Sequence, residues 1–235
     1  MSEHRYYLDG KRVPGVTAVI GELGWKTGAL LHWAYKLGRK DADIEGATLE
    51  LSQGEALSDG KRVHSWIEYT LTGKYCFEDL DVFDQISAAG VAYRGWCKSW
   101  LPKKELLMLS IEKPITSREF RCGGRPDYVA IDGKEGHERV CVFDWKTYNG
   151  DDGRKEPYPE YWVQLAAYAE MYRVDTGRII DDLVVVMLNK TTGEADEYRL
   201  PVLSDKADAA LRAFKLAREL YDLRKTLTKK EEGWE

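Results

Sequence analysis

Residues 140–147, with the sequence VCVFDWKT, form the most informative segment of the chain. The segment begins with residues that are apolar on both faces of a strand, a pattern typical of the centre of a sheet. It ends with Asp144 and Lys146, which lie two residues apart and therefore project from the same face. Because charges are seldom placed against a core unless they are paired or bound to a metal, this strand end is a candidate functional site.

A second carboxylate, that of Asp127, lies 17 residues before Asp144. Asp127 follows the sequence GGRP and opens the preceding predicted strand. If the two strands pair, Asp127 and Asp144 converge at one end of the sheet. Two carboxylates held close together repel each other unless a cation lies between them, and hard oxygen ligands select Mg²⁺ or Mn²⁺.

The composition excludes several classes of protein. The chain has 235 residues and a net charge of 35 − 40 = −5, so binding to a polyanion must come from a local basic or metal-lined groove. The longest aliphatic run, residues 183–188, has six residues, against the ~18 that a membrane span needs. Four scattered cysteines without a CxxC motif argue against a disulfide framework or a zinc ribbon. The amino terminus lacks an apolar signal segment, which predicts a cytoplasmic protein.

The hydrophobic pattern along the chain predicts an α/β fold. An extended segment is predicted over residues 13–17, followed by helices over 29–45, 58–72 and 79–100. Strands are predicted over 106–115, 118–122, 127–131 and 140–147. After a loop over 149–159, the pattern predicts a helix over 160–174, strands over 183–188 and 197–200, and a closing helix over 204–227. This order indicates one compact unit, with a helical region over residues 1–104 that wraps a core over residues 105–235.

Further polar pairs lie on the predicted helices. Gln164 and Tyr168 stand four residues apart on the helix after the loop, and His64 and Glu68 have the same spacing on the second predicted helix. This spacing places each pair on one helix face. Glu112, in the first predicted strand of the core, is expected to be a strand-edge charge, with a side chain that faces the metal as the alternative.

Together these motifs resemble the PD-(D/E)XK nuclease superfamily, and specifically its RecB-like exonuclease branch. The matching segments are GKRVHSWIE at 60–68, RPD at 125–127, DWKT at 144–147 and QLAAY at 164–168. The segment 13–38 is also similar to the opening of phage-encoded exonucleases and of the mitochondrial genome maintenance exonuclease. The resemblance covers about residues 13–190 and implies a restriction-endonuclease-like core: a mixed central sheet flanked by helices, with an N-terminal helical region.

The resemblance implies a metal site. Asp127 and Asp144 would bind Mg²⁺ or Mn²⁺ together with the main-chain carbonyl of Trp145. His64 would supply an imidazole ligand, and Glu68 would hold a water molecule beside the metal. An iron–sulfur cluster, which some relatives carry, is not expected, because the chain has no cysteine after Cys141.

The resemblance also implies how substrate would bind and react. Lys146 would orient or deprotonate the attacking water and neutralise charge on the scissile phosphate. Gln164 and Tyr168 would steady Lys146 and, with Arg125, contact the DNA backbone. The reaction would be phosphodiester hydrolysis that leaves a 5′ phosphate.

The predicted function is therefore that of a metal-dependent DNA exonuclease in recombination, repair or phage genome processing. Its substrate would be DNA that is single-stranded or has a free end. Its possible protein partners are a recombinase, a single-strand-binding protein or a helicase. No association with a membrane is expected. Alternatives are a structure-specific or flap endonuclease, a catalytically inactive DNA-binding subunit, and a hydrolase of small phosphoesters. The intact Asp127, Asp144 and Lys146 argue against the inactive subunit.

Two segments, residues 32–40 and 94–100, alternate aromatic and basic residues. Aromatic faces beside cations suit stacking on unpaired bases. For each tryptophan taken singly, however, packing in the core is the stronger expectation.

Overall fold

The computed structural model describes residues 5–25, 27, 49–150 and 156–228. The strands in these ranges are β1 Tyr6–Leu8, β2 Lys11–Val13, β3 Leu106–Ile111, β4 Ile115–Ser117, β5 Cys122–Gly124, β6 Tyr128–Asp132, β7 Arg139–Tyr148, β8 Asp182–Asn189 and β9 Ala195–Pro201. The α-helices are α1 Val16–Ile20, α2 Leu49–Leu71, α3 Val82–Ile86, α4 Ala88–Gly95, α5 Pro159–Thr176 and α6 Asp205–Thr228. A π-helical turn, Trp96–Trp100, continues α4.

The centre of the fold is a five-stranded sheet in the order β3-β6-β7-β8-β9. β7 and β8 run parallel to each other, and every other neighbouring pair is antiparallel. Two small antiparallel hairpins, β1–β2 and β4–β5, lie outside this sheet. The protein is thus an α/β protein with a mixed central sheet flanked by helices, consistent with a restriction-endonuclease-like core, and the predicted fold class is confirmed.

Each face of the sheet buries its own hydrophobic core. Val142 belongs to the core that α1, α5 and α6 cover, whereas the next residue, Phe143, belongs to the core beneath α2 and α4. This alternation follows from the two-residue period of a strand. The second core is rich in aromatic rings: the ring centroids of Trp96 and Trp100 lie 5.8 and 5.3 Å from that of Trp145.

The helical region differs from the prediction at two places. The helix predicted over residues 79–100 is broken at Ser87, whose extended backbone ends α3 and whose side chain accepts a hydrogen bond from the Gly90 amide to cap α4. The predicted extended segment is wrong at its end, because α1 begins at Val16. The helix predicted over residues 58–72 lies almost wholly within α2, which begins earlier.

Two predicted strands are also wrong in their bounds. The strand predicted over residues 106–115 ends at Ile111, because Glu112 adopts a left-handed backbone with φ of 47°. Residues 118–121, predicted as strand, form the turn between β4 and β5. Arg218 in α6 holds this turn, since its Nε donates a hydrogen bond to the Phe120 carbonyl at 2.7 Å.

The other predicted elements match the structure to within two residues. They are the strands at 127–131, 140–147, 183–188 and 197–200 and the helices at 160–174 and 204–227. The helix predicted over 29–45 and residues 151–155 of the predicted loop lie outside the described residues. The division at residues 104 and 105 stays a prediction. No helix in the described part of the chain has the length and apolar character needed to cross a membrane.

Candidate active site

The candidate site lies where β7 continues beyond its neighbour β6. The last residue pair of the two strands is Tyr128 with Phe143, after which β7 runs on beside β8 as far as Tyr148. Asp127 immediately precedes β6, and its Oδ2 accepts a hydrogen bond from the Trp145 amide at 2.8 Å. The carboxylate therefore satisfies a backbone donor that a longer β6 would otherwise have paired.

Asp144 and Lys146 project from the face of β7 that α5 covers. Asp144 is 1% exposed, and the Lys146 ammonium nitrogen lies 2.7 Å from its Oδ1 and 2.6 Å from its Oδ2. Gln164 Nε2 donates to the same Oδ1 at 3.3 Å. Oδ2 receives no well-formed hydrogen bond from the described residues, although the ammonium is close to it. The ammonium thus supplies the opposite charge that a buried carboxylate requires.

The buried charges shift one another's pKa values. Burial raises the pKa of Asp144 to about 6, against the opposing effect of the Lys146 ammonium. Burial acts in the same direction on Asp127, but the charge and hydrogen bond of His64 outweigh it, so the pKa of Asp127 is lowered. Burial acts to lower the pKa of Lys146, and the two carboxylates more than compensate and raise it. Neighbouring positive charges therefore offset the burial of Asp144 less fully than they offset the burial of Asp127.

Helix α2 brings His64 to the same strand end from the other face of the sheet. The His64 Nε2 donates to the Trp145 carbonyl at 2.7 Å, and its Nδ1 lies 3.4 Å from Asp127 Oδ2. Burial acts to lower the pKa of His64, but Asp127 raises it above its ordinary value. The imidazole thus touches the carbonyl and one of the carboxylates that the family resemblance assigns to a metal.

Glu112 is part of this cluster, which corrects the expectation of a strand-edge charge. Single ligand atoms of His64, Glu112 and Asp127 all lie within 4.8 Å of one another. The Glu112 amide donates to the Asp127 carbonyl at 3.1 Å. Burial raises the pKa of the Glu112 carboxyl to about 7, with a further contribution from Asp127. The sequence offered one signal: if Ile111 pairs with Tyr128 in antiparallel strands, Glu112 must stand beside Asp127.

Arg125 and Glu68 lie at the rim of the cluster. The Arg125 Nε is 2.6 Å from Glu112 Oε2, and its side chain is 33% exposed, so the guanidinium faces both the site and solvent. Glu68 follows His64 by one turn of α2 and is half-buried. Its negative charge adds to the effect of burial in raising the pKa of Glu112, so it lies near the site.

The helix α5 supplies the side chains that enclose Lys146. Its ammonium lies 5.0 Å from the ring centre of Tyr161, within the range of a cation–π contact. Gln164 Nε2 lies 3.4 Å from the Tyr168 hydroxyl, so the predicted pair is in contact. Tyr168 is buried, with its ring against Gly124. This position favours support of Gln164 over direct contact with a ligand.

The residues present fit a hard divalent cation. Asp127, Asp144 and the Trp145 carbonyl provide oxygen ligands, and His64 adds a nitrogen ligand. Oxygen-rich sets of this kind suit Mg²⁺ or Mn²⁺. The observation in this structure that points to such an ion is the convergence of ligand atoms of His64, Glu112 and Asp127 to within 4.8 Å of one another.

The tryptophans of segment 94–100 pack in the core. Trp96 is fully buried and Trp100 is 3% exposed, so neither ring offers a face to an unpaired base. The Trp100 Nε1 donates instead to Glu197 at 2.8 Å. Residues 32–40 lie outside the described residues.

Comparisons with known proteins give matches only among solved structures. No family model matches the sequence, and no curated protein matches it. The chain is similar to a protein from Eubacterium rectale described as a candidate exonuclease, at 16% identity and a TM-score of 0.45, covering 83% of this chain and 75% of that one. It is also similar to the protein SSO0001, at 15% identity and a TM-score of 0.40, covering 97% of this chain and 82% of that one. Because both TM-scores lie below 0.5, we base the functional proposal on the site's own geometry.

Proposed function

We propose that this protein is a divalent-metal-dependent deoxyribonuclease that hydrolyses phosphodiester bonds from DNA ends. The observation that carries the proposal is the cluster at the end of β7. There the Lys146 ammonium lies 2.6 Å from the buried Asp144 carboxylate, with Asp127 on the adjoining strand. Paired carboxylates with a lysine on one sheet end suit metal-assisted hydrolysis of a phosphodiester.

Asp127, Asp144, the Trp145 carbonyl and His64 would hold the Mg²⁺ or Mn²⁺ ion. The bound ion would polarise a phosphoryl oxygen and lower the pKa of a bound water molecule. Glu68 is suited to hold a water molecule near the ion, because it lies one turn beyond His64 and is half-buried. We expect no iron–sulfur cluster.

Lys146 orients the attacking water and neutralises charge on the scissile phosphate. Its ammonium is fixed on one side by Asp144 and on the other by the ring of Tyr161. Gln164 holds Asp144 Oδ1, so the carboxylate keeps its orientation while the substrate binds. A preorganised cation of this kind stabilises negative charge without needing to move during the reaction.

Arg125, Gln164 and Tyr168 form the side of the site that receives the DNA backbone. The partly exposed guanidinium of Arg125 is suited to contact a phosphate oxygen. Gln164 reaches both Asp144 and Tyr168, and we assign to Tyr168 the role of supporting it. The negative net charge of the chain makes such local contacts necessary for binding a polyanion.

The biological setting that we propose is DNA recombination, repair or phage genome processing in the cytoplasm of a bacterial or phage-infected cell. The partner is DNA that is single-stranded or has a free end, together with a recombinase, a single-strand-binding protein or a helicase. The nearest alternative activity is that of a structure-specific or flap endonuclease. The alternative without enzymatic activity is a DNA-binding subunit with a nuclease fold.

The test is digestion of end-labelled single-stranded DNA, end-labelled double-stranded DNA and closed circular DNA, in Mg²⁺, Mn²⁺ or EDTA. Release of mononucleotides from ends alone, blocked by EDTA, supports an exonuclease. Nicked circles support the endonuclease, and binding without cleavage in either metal supports the inactive subunit.

Lys146→Ala should abolish cleavage and leave DNA binding intact, because the ammonium acts on the reacting groups. Lys225→Ala, a change of the same kind on the exposed side of α6, is the matched control and should cleave as the unaltered protein does. Equal rates for the two variants would overturn the role assigned to Lys146.

A further inference from the structure

The hairpin β1–β2 packs directly beside the candidate active site, although it precedes every motif that predicted that site. The Gly123 amide at β5 donates to the Pro14 carbonyl at 2.9 Å, and Gly15 forms a parallel bridge with Gly123. The ring of Tyr6 lies flat against this junction. A Cβ atom at position 123 would stand 2.1 Å from the Tyr6 Cγ, so only glycine permits the contact.

The neighbouring glycine makes room for a second tyrosine. A Cβ atom at position 124 would stand 2.4 Å from Cε1 of Tyr168, the residue that contacts Gln164. Gly123 and Gly124 thus separate two aromatic rings, one from the hairpin and one from α5. Tyr6 therefore packs on the chain segment in which Arg125 and Asp127 follow the two glycines.

The Tyr6 ring packs on Gly123, two residues before Arg125, and so lies beside the segment that forms the charged rim of the site. The residue is half-buried, and besides burial, which raises its pKa, the charges of Arg125 and Glu112 act on its hydroxyl. The next residue, Tyr7, points the other way and is 52% exposed. A neutral hydroxyl donor and a guanidinium from one rim are a combination that suits the oxygen atoms of a phosphate.

We propose that Tyr6 is a substrate-binding residue whose hydroxyl, with Arg125, holds a phosphate of the DNA backbone next to the scissile one. This inference rests on the proposed nuclease function and extends the site to the amino-terminal hairpin. The hydroxyl takes no part in bond breaking, so its contribution lies in binding and in the register of the strand.

The test compares Tyr6→Phe with Tyr7→Phe, which removes a hydroxyl from the opposite face of the same strand. Both variants are assayed for kcat and KM on a short end-labelled single-stranded oligonucleotide in Mn²⁺, and their thermal midpoints are measured. Loss of one hydrogen bond to a charged group should raise the KM of Tyr6→Phe about ten- to a hundredfold, with kcat and the thermal midpoint nearly unchanged. Tyr7→Phe should match the unaltered protein in all three quantities.

Gly123→Ala provides a second variant that leaves Tyr6 chemically intact but displaces its ring. It should raise KM at least as much as Tyr6→Phe does. An unchanged KM for Tyr6→Phe, or a fall in kcat alone, would overturn the inference while leaving the nuclease proposal standing. An unaltered protein that cleaves no DNA would defeat the nuclease proposal itself, and this inference with it.

Discussion

The central sheet carries a cluster of charged side chains at each end, and the two clusters differ in their balance. Among the described residues, four carboxylates face three cations where β7 begins: Asp132, Asp181, Asp182 and Glu197 with Lys104, Arg139 and Arg199. Where β7 ends, four carboxyl groups face two permanent cations and one histidine: Glu68, Glu112, Asp127 and Asp144 with Arg125, Lys146 and His64. The second cluster therefore has the weaker compensation of its negative charge.

The pKa values follow this difference. Burial acts to raise the pKa of Glu197 in the first cluster, but Lys104 and Arg199 outweigh burial and lower it. In the second cluster burial prevails at two carboxyl groups, and the pKa reaches about 7 for Glu112 and about 6 for Asp144, whereas His64 keeps the pKa of Asp127 low. The first cluster is an ion-pair network that balances its own charge, and we propose that a bound Mg²⁺ or Mn²⁺ ion would complete the second.

The largest expected effect is on DNA cleavage, which a substitution in the second cluster should reduce and one in the first should not. Asp144→Asn should reduce DNA cleavage at least about a hundredfold, because it removes a negatively charged ligand of the metal. The amide has nearly the same size, so far-ultraviolet circular dichroism should show a folded protein. The measurement is the rate of nucleotide release from end-labelled DNA at saturating Mn²⁺.

Asp182→Asn is the matched control at the other end of the sheet. Asp182 is 4% exposed and accepts two hydrogen bonds from Arg139, at 2.5 and 2.8 Å. Its replacement should lower the free energy of unfolding by about 1–3 kcal/mol and leave cleavage within about twofold. If the two variants lost activity equally, the division into a structural and a functional cluster would be wrong.

The next expected effect is stabilisation by metal. Mn²⁺ at 100 times its dissociation constant should add about 2.7 kcal/mol to the free energy of unfolding of EDTA-treated protein. For a chain of 235 residues this corresponds to a rise of about 5–10 °C in the thermal midpoint. Differential scanning calorimetry would show the rise in Asp182→Asn and not in Asp144→Asn. Equal rises in both variants would place the ion elsewhere.

The sequence was sufficient for the parts of the structure that local pattern determines. The apolar run of β7 and its terminal Asp144 and Lys146 predicted a central strand with a polar end, and β7 has both features. The position of Asp127 followed from pairing of adjacent strands. Alternating burial along a strand depends on a two-residue period, which is visible in any sequence.

The rest depended on contacts between distant segments. Ser87 interrupts a stretch with continuous helical periodicity, because its side chain caps α4 and no local apolar signal marks the break. Glu112 looked like an edge charge, since its place beside Asp127 requires the register of β3 on β6. Tyr6 could not be placed at all from sequence, because its contact with Gly123 joins segments more than a hundred residues apart.

The smallest expected effect is a difference in how the two clusters respond to pH in the metal-free protein. The folded pKa of Glu112, about 7, lies above the ordinary 4.5, so its contribution to stability is full below pH 4.5 and is lost as pH rises through 7. The folded pKa of Glu197 is lowered, so its contribution is present above pH 4.5 and is lost as pH falls through the folded value.

Urea unfolding in EDTA from pH 4 to pH 8 should therefore give opposite slopes for two variants relative to the unaltered protein. Glu112→Gln should gain stability relative to it as pH rises from 5 to 8, by about 1–3 kcal/mol, because glutamine stays neutral where the glutamate must ionise in a buried site. Glu197→Gln should lose relative stability over the rise from pH 4 to pH 6, because the unaltered carboxylate becomes charged beside Lys104 and Arg199. Parallel slopes would mean that the charges at both ends of the sheet are equally compensated, and the case for a divalent cation at the end of β7 would fail.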